Sequence, residues 1–410
     1  FTSKLYLLDN EKVEQFTVTK KTQSEKIQGE LLLKSAGKTR ISRVEKKQRS
    51  RKPSAPFTTS TLQQQAVRKL GFTTKRTMII AQKLYEGIDT ENETVGLISY
   101  MRTDSVTLSN EVVNQIRDYL KSNYEPEYLP QIAIGYKTKS KNAQEAHEAI
   151  RPTDISKTPA SLKKYLSEEQ FKLYEMIWQR TLSCQMTPAI FDAVSVDLEI
   201  GKGESIFRAS GQTLRFPGFM SVYLEDEDEA SEEKENTSIL PPLEVGEILN
   251  IEKIYGDQHF TEPPPRYSEA SLVKTLEEYG IGRPSTYSSI ISTLQEREYV
   301  LLEKKRFMPT DVGVVVNDFL TEHFSHYVDY DFTAQLESQL DDIAADKKEW
   351  LSVLTNFWKD FDHQINEKKD LDRTKITQKD IDEECPKCGK PLLSKLGRRG
   401  NFIACSGYPD

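Results

Sequence analysis

The stretch Ile98-Ser99-Tyr100-Met101-Arg102-Thr103-Asp104-Ser105 decides how the rest of the chain is read. It closes an apolar run, Val95-Gly96-Leu97-Ile98, and sets a tyrosine two residues before an arginine. A phenol ionises near pH ~10, so tyrosine is a weak nucleophile at neutral pH unless a fixed cation favours the phenolate. Arginine does this and also holds an anionic electrophile. In an extended segment, residues two apart point to the same side. Tyr100 and Arg102 are therefore expected to face one phosphate together, which suggests covalent catalysis on a phosphodiester. A Tyr-x-Arg triplet alone describes a half-buried edge-strand tyrosine better, so the surrounding blocks must separate the two readings.

Upstream, Ser60 or Thr61 is placed to cap a helix through Leu70 that Gly71 ends, and a second helix is expected over about 75–86. Two helices and then a short strand carrying Tyr100 make a winged-helix-like unit. Downstream, Ser109 is expected to cap a helix through Leu120, with further helices at 144–150 and 167–183. The period then changes. Ala193-Val-Ser-Val-Asp-Leu-Glu-Ile and Ser205-Ile-Phe-Arg-Ala-Ser alternate as antiparallel strands do, and Glu247-Ile-Leu-Asn-Ile-Glu-Lys-Ile reads as a third. Residues 1–34 predict short strands and a helix over 22–33, and Thr39-Arg-Ile-Ser-Arg-Val a strand. Pro53-Ser-Ala-Pro56 marks a boundary, and after Pro263-Pro-Pro265 the pattern is helical to about Lys369. The helix-turn-helix-plus-wing pattern occurs twice, around 59–101 and 268–310. A helical domain (59–188) is expected to interrupt a β domain (35–58 with 189–260).

Three further blocks carry chemistry. In Gln144-Glu-Ala-His147-Glu-Ala-Ile-Arg151-Pro152 the histidine and arginine stand four apart, so on a helix they share a face, and Pro152 puts Arg151 at its end. There a cation is favoured by the helix dipole even without function; alternatively the pair grips phosphate oxygens near Tyr100. In Gly280-Ile-Gly282-Arg283-Pro284-Ser285-Thr286-Tyr287 a helix ends at Gly280 and Pro284 suits the first turn of the next. Exposed amides with the Arg283, Ser285 and Thr286 side chains would cradle phosphate, and 302–310 with Lys304, Lys305 and Arg306 reads as a basic wing. Lastly, Cys385-Pro-Lys-Cys388-Gly389 forms a knuckle that Cys405 follows, a strong half-signal for Zn2+ held by thiolates.

Composition bounds these readings. A chain of 410 residues can hold two to four domains with real cores. The net charge of −8 is concentrated: residues 225–235 hold eight carboxylates and one lysine, read as a surface loop, whereas residues 34–52 hold nine Lys or Arg against one Glu. Such a basic block is either solvated or a polyanion contact. No apolar run approaches membrane-spanning length. Cys184 is expected to be a buried thiol, and the sparse cysteines suggest no disulfides, in keeping with a reducing cytoplasm. The first residue is phenylalanine, which suggests a fragment or a processed chain.

The octapeptide resembles the active-site segment of type IA DNA topoisomerases, most of all their bacterial topoisomerase I branch. The His147, Gly-Ile-Gly-Arg-Pro-Ser-Thr-Tyr and cysteine blocks follow in that family's order, as does Asp331-Phe-Thr-Ala-Gln-Leu-Glu337, which is read as structural. The resemblance covers roughly residues 56–410. It implies a multidomain α+β protein: a padlock-shaped torus of winged-helix-like helical domains and a β arm, plus a partial zinc ribbon. Residues 1–34 would belong to a DNA-binding arch, 59–188 to the lid carrying the nucleophile, 261–375 to a DNA-binding domain and 380–410 to an incomplete ribbon. Tyr100 would attack single-stranded regions of negatively supercoiled DNA through a 5′-phosphotyrosine, without ATP. Arg102 would offset charge on the phosphorus, His147 would position the scissile phosphate or relay protons, and Arg151 would bind the DNA backbone with Arg283, Ser285 and Thr286. Cys385, Cys388 and Cys405 would be three Zn2+ ligands. The family's Mg2+ belongs to an N-terminal Toprim domain not found before Tyr100, so this chain by itself is expected to be inactive. A monomer in the cytoplasm, associated with the nucleoid, is implied. The alternatives are a decatenating enzyme of the topoisomerase III branch and a non-catalytic winged-helix DNA-binding protein.

Overall fold

The structure, a computed structural model, describes residues 1–91, 93–137, 147–226, 239–371, 373–397 and 400–408. Most of the acidic block and the first part of the expected 144–150 helix lie outside the described residues. The chain forms two compact units. One comprises Phe1–Ser54, Val113–Ile134 and Leu182–Pro264; the other comprises Ala55–Val112, Gly135–Thr181 and Pro265–Asp410.

The first unit is built on an antiparallel sheet of six strands: β1 (Lys4–Leu8), β2 (Glu11–Lys12), β3 (Lys38–Arg51), β4 (Ala189–Ile200), β5 (Ser205–Phe216) and β6 (Ile248–Asn250), in the order β2-β1-β5-β4-β3-β6. The alternation that identified β4 and β5 is realised. Ile41, Val196 and Leu198 are buried on one face, joined by Val44, Val194, Phe207 and Leu249. Strand β3 is longer than its sequence suggests and runs through the basic block, because eleven of its residues pair with β4. The expected third strand shrinks to three residues. The helix α1 (Lys21–Ser35) follows the two short N-terminal strands, and β1 pairs with β5, so the first residues extend the same sheet. Cys184 is fully buried, as expected.

The second unit contains two helix pairs of one design. The helix α2 (Thr59–Gln65) is capped by a Thr58–Thr61 box, so the cap is Thr58, two or three residues before the expected Ser60 or Thr61. It runs into a π-helical turn, Ala66–Leu70, and stops at Gly71 in the left-handed conformation; α3 (Thr74–Glu86) follows. Likewise α4 (Glu269–Tyr279) is capped by a Ser268–Ser271 box and ends at a left-handed Gly280, and α5 (Tyr287–Glu296) follows. The pairs pack on each other, α2 against α4 and α3 against α5. Glu269, only 3% exposed, accepts hydrogen bonds from the Thr74 amide (2.7 Å) and hydroxyl (2.9 Å). The Ser60 hydroxyl donates to Glu277 (2.6 Å), and Lys75 pairs with Glu296 (3.1 Å). After each pair comes a wing: Ile88–Asp89 with Thr94–Val95, and Val300–Glu303 with Arg306–Pro309. The second wing turns at Lys304 and Lys305, both at positive φ, which displays two cations at its tip.

Candidate active site and metal centre

Tyr100 sits just past the first wing. Gly96 lies so close to α3 that a Cβ there would be 2.6 Å from the Tyr85 carbonyl oxygen, and the Leu97 amide donates to the Leu84 carbonyl (2.7 Å). Ile98 bridges Pro152, and the Ser99 amide donates to the Arg151 carbonyl (2.8 Å). Beyond the tyrosine, the segment is held to the start of α2. The Thr59 amide donates to the Thr103 carbonyl (2.9 Å), the Thr103 amide to the Thr59 hydroxyl (2.8 Å), and that hydroxyl to the Met101 carbonyl (2.7 Å). Met101, Thr103 and Ser105 are buried, while Tyr100 and Arg102 are exposed. This is the period-two alternation expected of an extended segment. The backbone ladder therefore puts the phenol and the guanidinium on the solvent side. Arg102 has no ion pair or hydrogen bond among the described residues.

The Tyr100 ring, 37% exposed, is packed edge-on by Tyr85 (centroids 5.4 Å apart) and lies 6.2 Å from the His147 ring. The expected helix face of His147 and Arg151 is not formed. Residues 147–149 are not helical, and Ile150 bridges Phe57. Sheet-like bonds take these amides: Ala149 donates to Thr107 (2.9 Å), Ile150 to Phe57 (2.8 Å) and Arg151 to the Ser99 hydroxyl (2.9 Å). Pro152 biases the chain the same way. The histidine thus comes beside the tyrosine through a strand-like crossing. Arg151 does not reach out as a free phosphate ligand. It donates to Glu148 through Nε (2.9 Å) and Nη2 (2.5 Å) and to the Pro152 carbonyl through Nη1 (2.9 Å). Asp104 lies six residues before the next helix, Asn110–Asn123; Ser109 caps that helix, as expected, accepting from the Val112 amide (3.3 Å).

The Gly280–Thr286 turn is tighter than its sequence suggested. Pro284 precedes the helix, which starts at Tyr287. The Gly282 amide donates to Glu337 (3.2 Å), the Arg283 amide to the Thr286 hydroxyl (2.8 Å), and the Thr286 amide to the Arg283 carbonyl (2.8 Å). Few amides remain for a phosphate. The Arg283 guanidinium is also held: Nε (3.4 Å) and Nη2 (2.6 Å) donate to Asp341, and Nη1 donates to the Gly282 (2.7 Å) and Gly280 (3.3 Å) carbonyls. Burial works against its charge, but the Asp341 hydrogen bond with the Asp341 and Glu337 charges outweighs that and raises its pKa. Burial foremost, with the Glu277 charge adding to it, also pushes the neighbouring Tyr287 phenol up. Ser285 is exposed. Glu337 closes the block read as structural, and with Asp341 it is the pair that sequence reasoning missed. The available signal was two carboxylates four apart on one helix, Tyr330–Ala344, and hence on one face.

At the C-terminal end Cys385, Cys388 and Cys405 gather their sulfurs within 4.8 Å of one another. A three-stranded antiparallel ribbon places them: Gln378–Glu384, Pro391–Gly397 and Gly400–Cys405. The backbone amides of Lys387 and Cys388 point at the Cys385 sulfur and bring its pKa down to about 7. Amides aimed at a clustered set of thiolates fit Zn2+.

A family model described as DNA topoisomerase matches residues 2–355, and one described as topoisomerase DNA binding C4 zinc finger matches residues 382–410. Over its whole length the chain is 50% identical to the DNA topoisomerase 1 of Rickettsia felis and 49% identical to that of Xylella fastidiosa. It spans about half the length of these curated relatives, 54% and 51%. The solved structure of full-length topoisomerase I from Thermotoga maritima superposes with a TM-score of 0.80 at 32% identity, covering 99% of this chain and 66% of that one. The expected mixed α+β organisation with a zinc ribbon is borne out. Among the described residues no helix is long and apolar enough to cross a membrane.

Proposed function

Because the chain belongs to the bacterial topoisomerase I family of type IA enzymes, we propose that Tyr100 makes a transient break in one DNA strand. The phenol oxygen attacks a backbone phosphorus, a Tyr–O–P bond forms, and the P–O3′ bond breaks, with the phenol's proton going to the 3′ oxygen. The phosphate ester is conserved in the link, so resealing by the 3′-OH needs no ATP. Relaxation of negatively supercoiled DNA through single-stranded regions follows from strand passage while the link exists. One observation carries this reading: an exposed phenol on the same edge as a guanidinium with no partner among the described residues, with an imidazole ring 6.2 Å away. Arg102 would offset charge on the five-coordinate phosphorus, where a preoriented cation is worth most. His147 would hold the scissile phosphate or move the proton.

Arg151 and Arg283 are proposed to act on the DNA backbone with most of their donors already committed, so they set the position of a strand more than they grip it. Ser285 offers an exposed hydroxyl, and Thr286 shapes the turn. Cys385, Cys388 and Cys405 would hold Zn2+, which supplies a rigid fold for the ribbon. The Mg2+ requirement, the lid role of residues 59–188 and the monomeric, nucleoid-associated state rest on the family resemblance alone.

The test is a phosphotyrosine trap with a labelled single-stranded oligonucleotide on an active full-length relative carrying this sequence. Tyr100→Phe is expected to abolish the adduct and leave oligonucleotide affinity within about twofold, less than ~0.5 kcal/mol. An adduct that persists in Tyr100→Phe overturns the assignment.

A further inference from the structure

The register of the six-stranded sheet sorts the basic block onto one face. From Arg43 onward, β3 pairs residue by residue with β4: Arg43 with Asp197, Glu45 with Ser195, Lys47 with Ala193, Arg49 with Phe191 and Arg51 with Ala189. Beyond β4 lie Arg208, Ser210 and Gln212 of β5. Directly opposed residues share a face, so this side carries Arg43, Lys47, Arg49, Arg51 and Arg208 against two carboxylates, Glu45 and Asp197. The other side of the same stretch carries Lys46, Gln48, Asp192 and Thr213, and there Gln48 bonds Asp192 (3.2 Å) and Arg215 lies 3.9 Å from that carboxylate. The two faces therefore differ in charge, although β3 as a whole carries seven Lys or Arg against one Glu.

The cationic face has the form of a rail beside a floor. Along β3 the outward side chains repeat about every 6–7 Å, a step comparable with that between successive phosphates of an extended strand. Arg43 and Lys47 are 60% and 66% exposed. Arg49 is exposed and has no partner among the described residues. The floor is small or polar beside Glu45 and Lys47, with Ala193, Ser195, Ser210 and Gln212, and apolar beside Arg49, with Phe191 and Leu214. Arg208 is fixed: it donates to Asp197 through Nε (2.6 Å) and Nη2 (2.9 Å) and lies 3.6 Å from the centre of the Tyr6 ring. Glu45 stands between Arg43 and Lys47 and binds both. Its carboxyl is held below the usual range, chiefly by the Lys47 hydrogen bond.

We propose that this face of the β sheet is a second DNA-backbone site, separate from the Tyr100 segment, on which Arg43, Lys47, Arg49 and Arg51 contact successive phosphates without reading sequence. Only the choice of DNA as the polyanion rests on the reading given for Tyr100. Glu45 tempers the site by holding two of its four cations.

Binding of labelled single-stranded and duplex oligonucleotides to the full 410-residue chain tests this across a salt series. Lys47→Gln with Arg49→Gln is expected to weaken binding severalfold at low salt and to flatten the slope of log affinity against log salt by roughly 0.7–0.9 per lost contact. Glu45→Gln is expected to tighten binding two- to threefold, roughly 0.4–0.7 kcal/mol. Lys46→Gln, on the other face, should change neither value. A benzophenone photo-cross-linker placed at Ser210 should capture the oligonucleotide, and one at Thr213 should not; whichever of the two oligonucleotides is captured identifies the form of DNA bound. Equal effects of Lys46→Gln and Lys47→Gln, or equal capture at Ser210 and Thr213, would overturn the proposal. The Tyr100 adduct assayed on the full-length relative separates the two ideas. Adduct formation with no face dependence removes this site alone, and face dependence with no adduct removes the nucleophile alone.

Discussion

The two helix pairs of the second unit share their construction and differ in where they put their chemistry. Both open on a reciprocal hydroxyl cap, both end the first helix on a left-handed glycine, and both lead into a wing. In the first pair the turn between helices is plain and the reactive segment follows the wing, pinned to α2 and to the 149–153 crossing by backbone hydrogen bonds. In the second pair the turn itself is the proposed DNA contact, and its amides and guanidinium are held by Glu337, Asp341 and the turn's own carbonyls. A helix pair with a wing is thus a neutral scaffold. What distinguishes the copies is whether backbone groups are committed so that side chains stay exposed, as at Tyr100 and Arg102, or side chains are committed so that a turn stays rigid, as at Arg283.

Four substitutions would break or sharpen that contrast. Gly96→Ala drives a methyl against the Tyr85 carbonyl oxygen. It should cost about 3 kcal/mol of stability, or displace the Tyr100 segment, in thermal unfolding. An unchanged midpoint would show that the wing-to-helix contact is not what fixes the first copy. Glu269→Ala strips a buried acceptor from the Thr74 amide and hydroxyl, where the two copies meet. The expected loss is about 2 kcal/mol, and Glu269→Gln should recover part of it because an amide oxygen still accepts. Glu337→Ala releases the Gly282 amide and loosens the second turn. It should weaken single-stranded oligonucleotide binding about fivefold, roughly 1 kcal/mol, with Glu337→Gln restoring most of the affinity; equal losses in both variants would mean that charge and not the hydrogen bond is at work. Ser285→Ala removes only an exposed hydroxyl and should cost about threefold, roughly 0.6 kcal/mol, with no change in unfolding temperature. A larger loss there than in Glu337→Ala would reverse the view that the second turn works by rigidity.

Local signals were legible wherever the chemistry is local. The alternation of β4 and β5, the stops at Gly71 and Gly280, the basic wing, the cysteine knuckle and the buried Cys184 all follow from neighbours within a few residues. The misreadings share one cause. The His147–Arg151 spacing reads as a helix face, but the amides of this segment are claimed by Thr107, by Phe57 and by Ser99, residues about forty to ninety positions away in the chain. A partner that distant leaves no local trace, and a helical spacing cannot compete with a strand crossing that satisfies the same groups. The partner of Arg283 is invisible from the sequence for the same reason: Asp341 lies 58 residues downstream.

By itself, then, the sequence determined the reactive groups and their order: a phenol two residues from a guanidinium, a histidine block, a glycine-arginine turn and a thiol set. Residue type and spacing are covalent facts that no packing can alter. Only the tertiary structure decided which groups remain available. Burial of Met101, Thr103 and Ser105 leaves Tyr100 and Arg102 facing solvent, whereas Arg151 and Arg283 spend their donors on carboxylates and carbonyls. The register of β3 on β4 likewise turned one basic stretch into two unlike faces. Hydrogen-bond donors are finite, and the neighbours that use them are brought close by the fold and not by the order of residues along the chain.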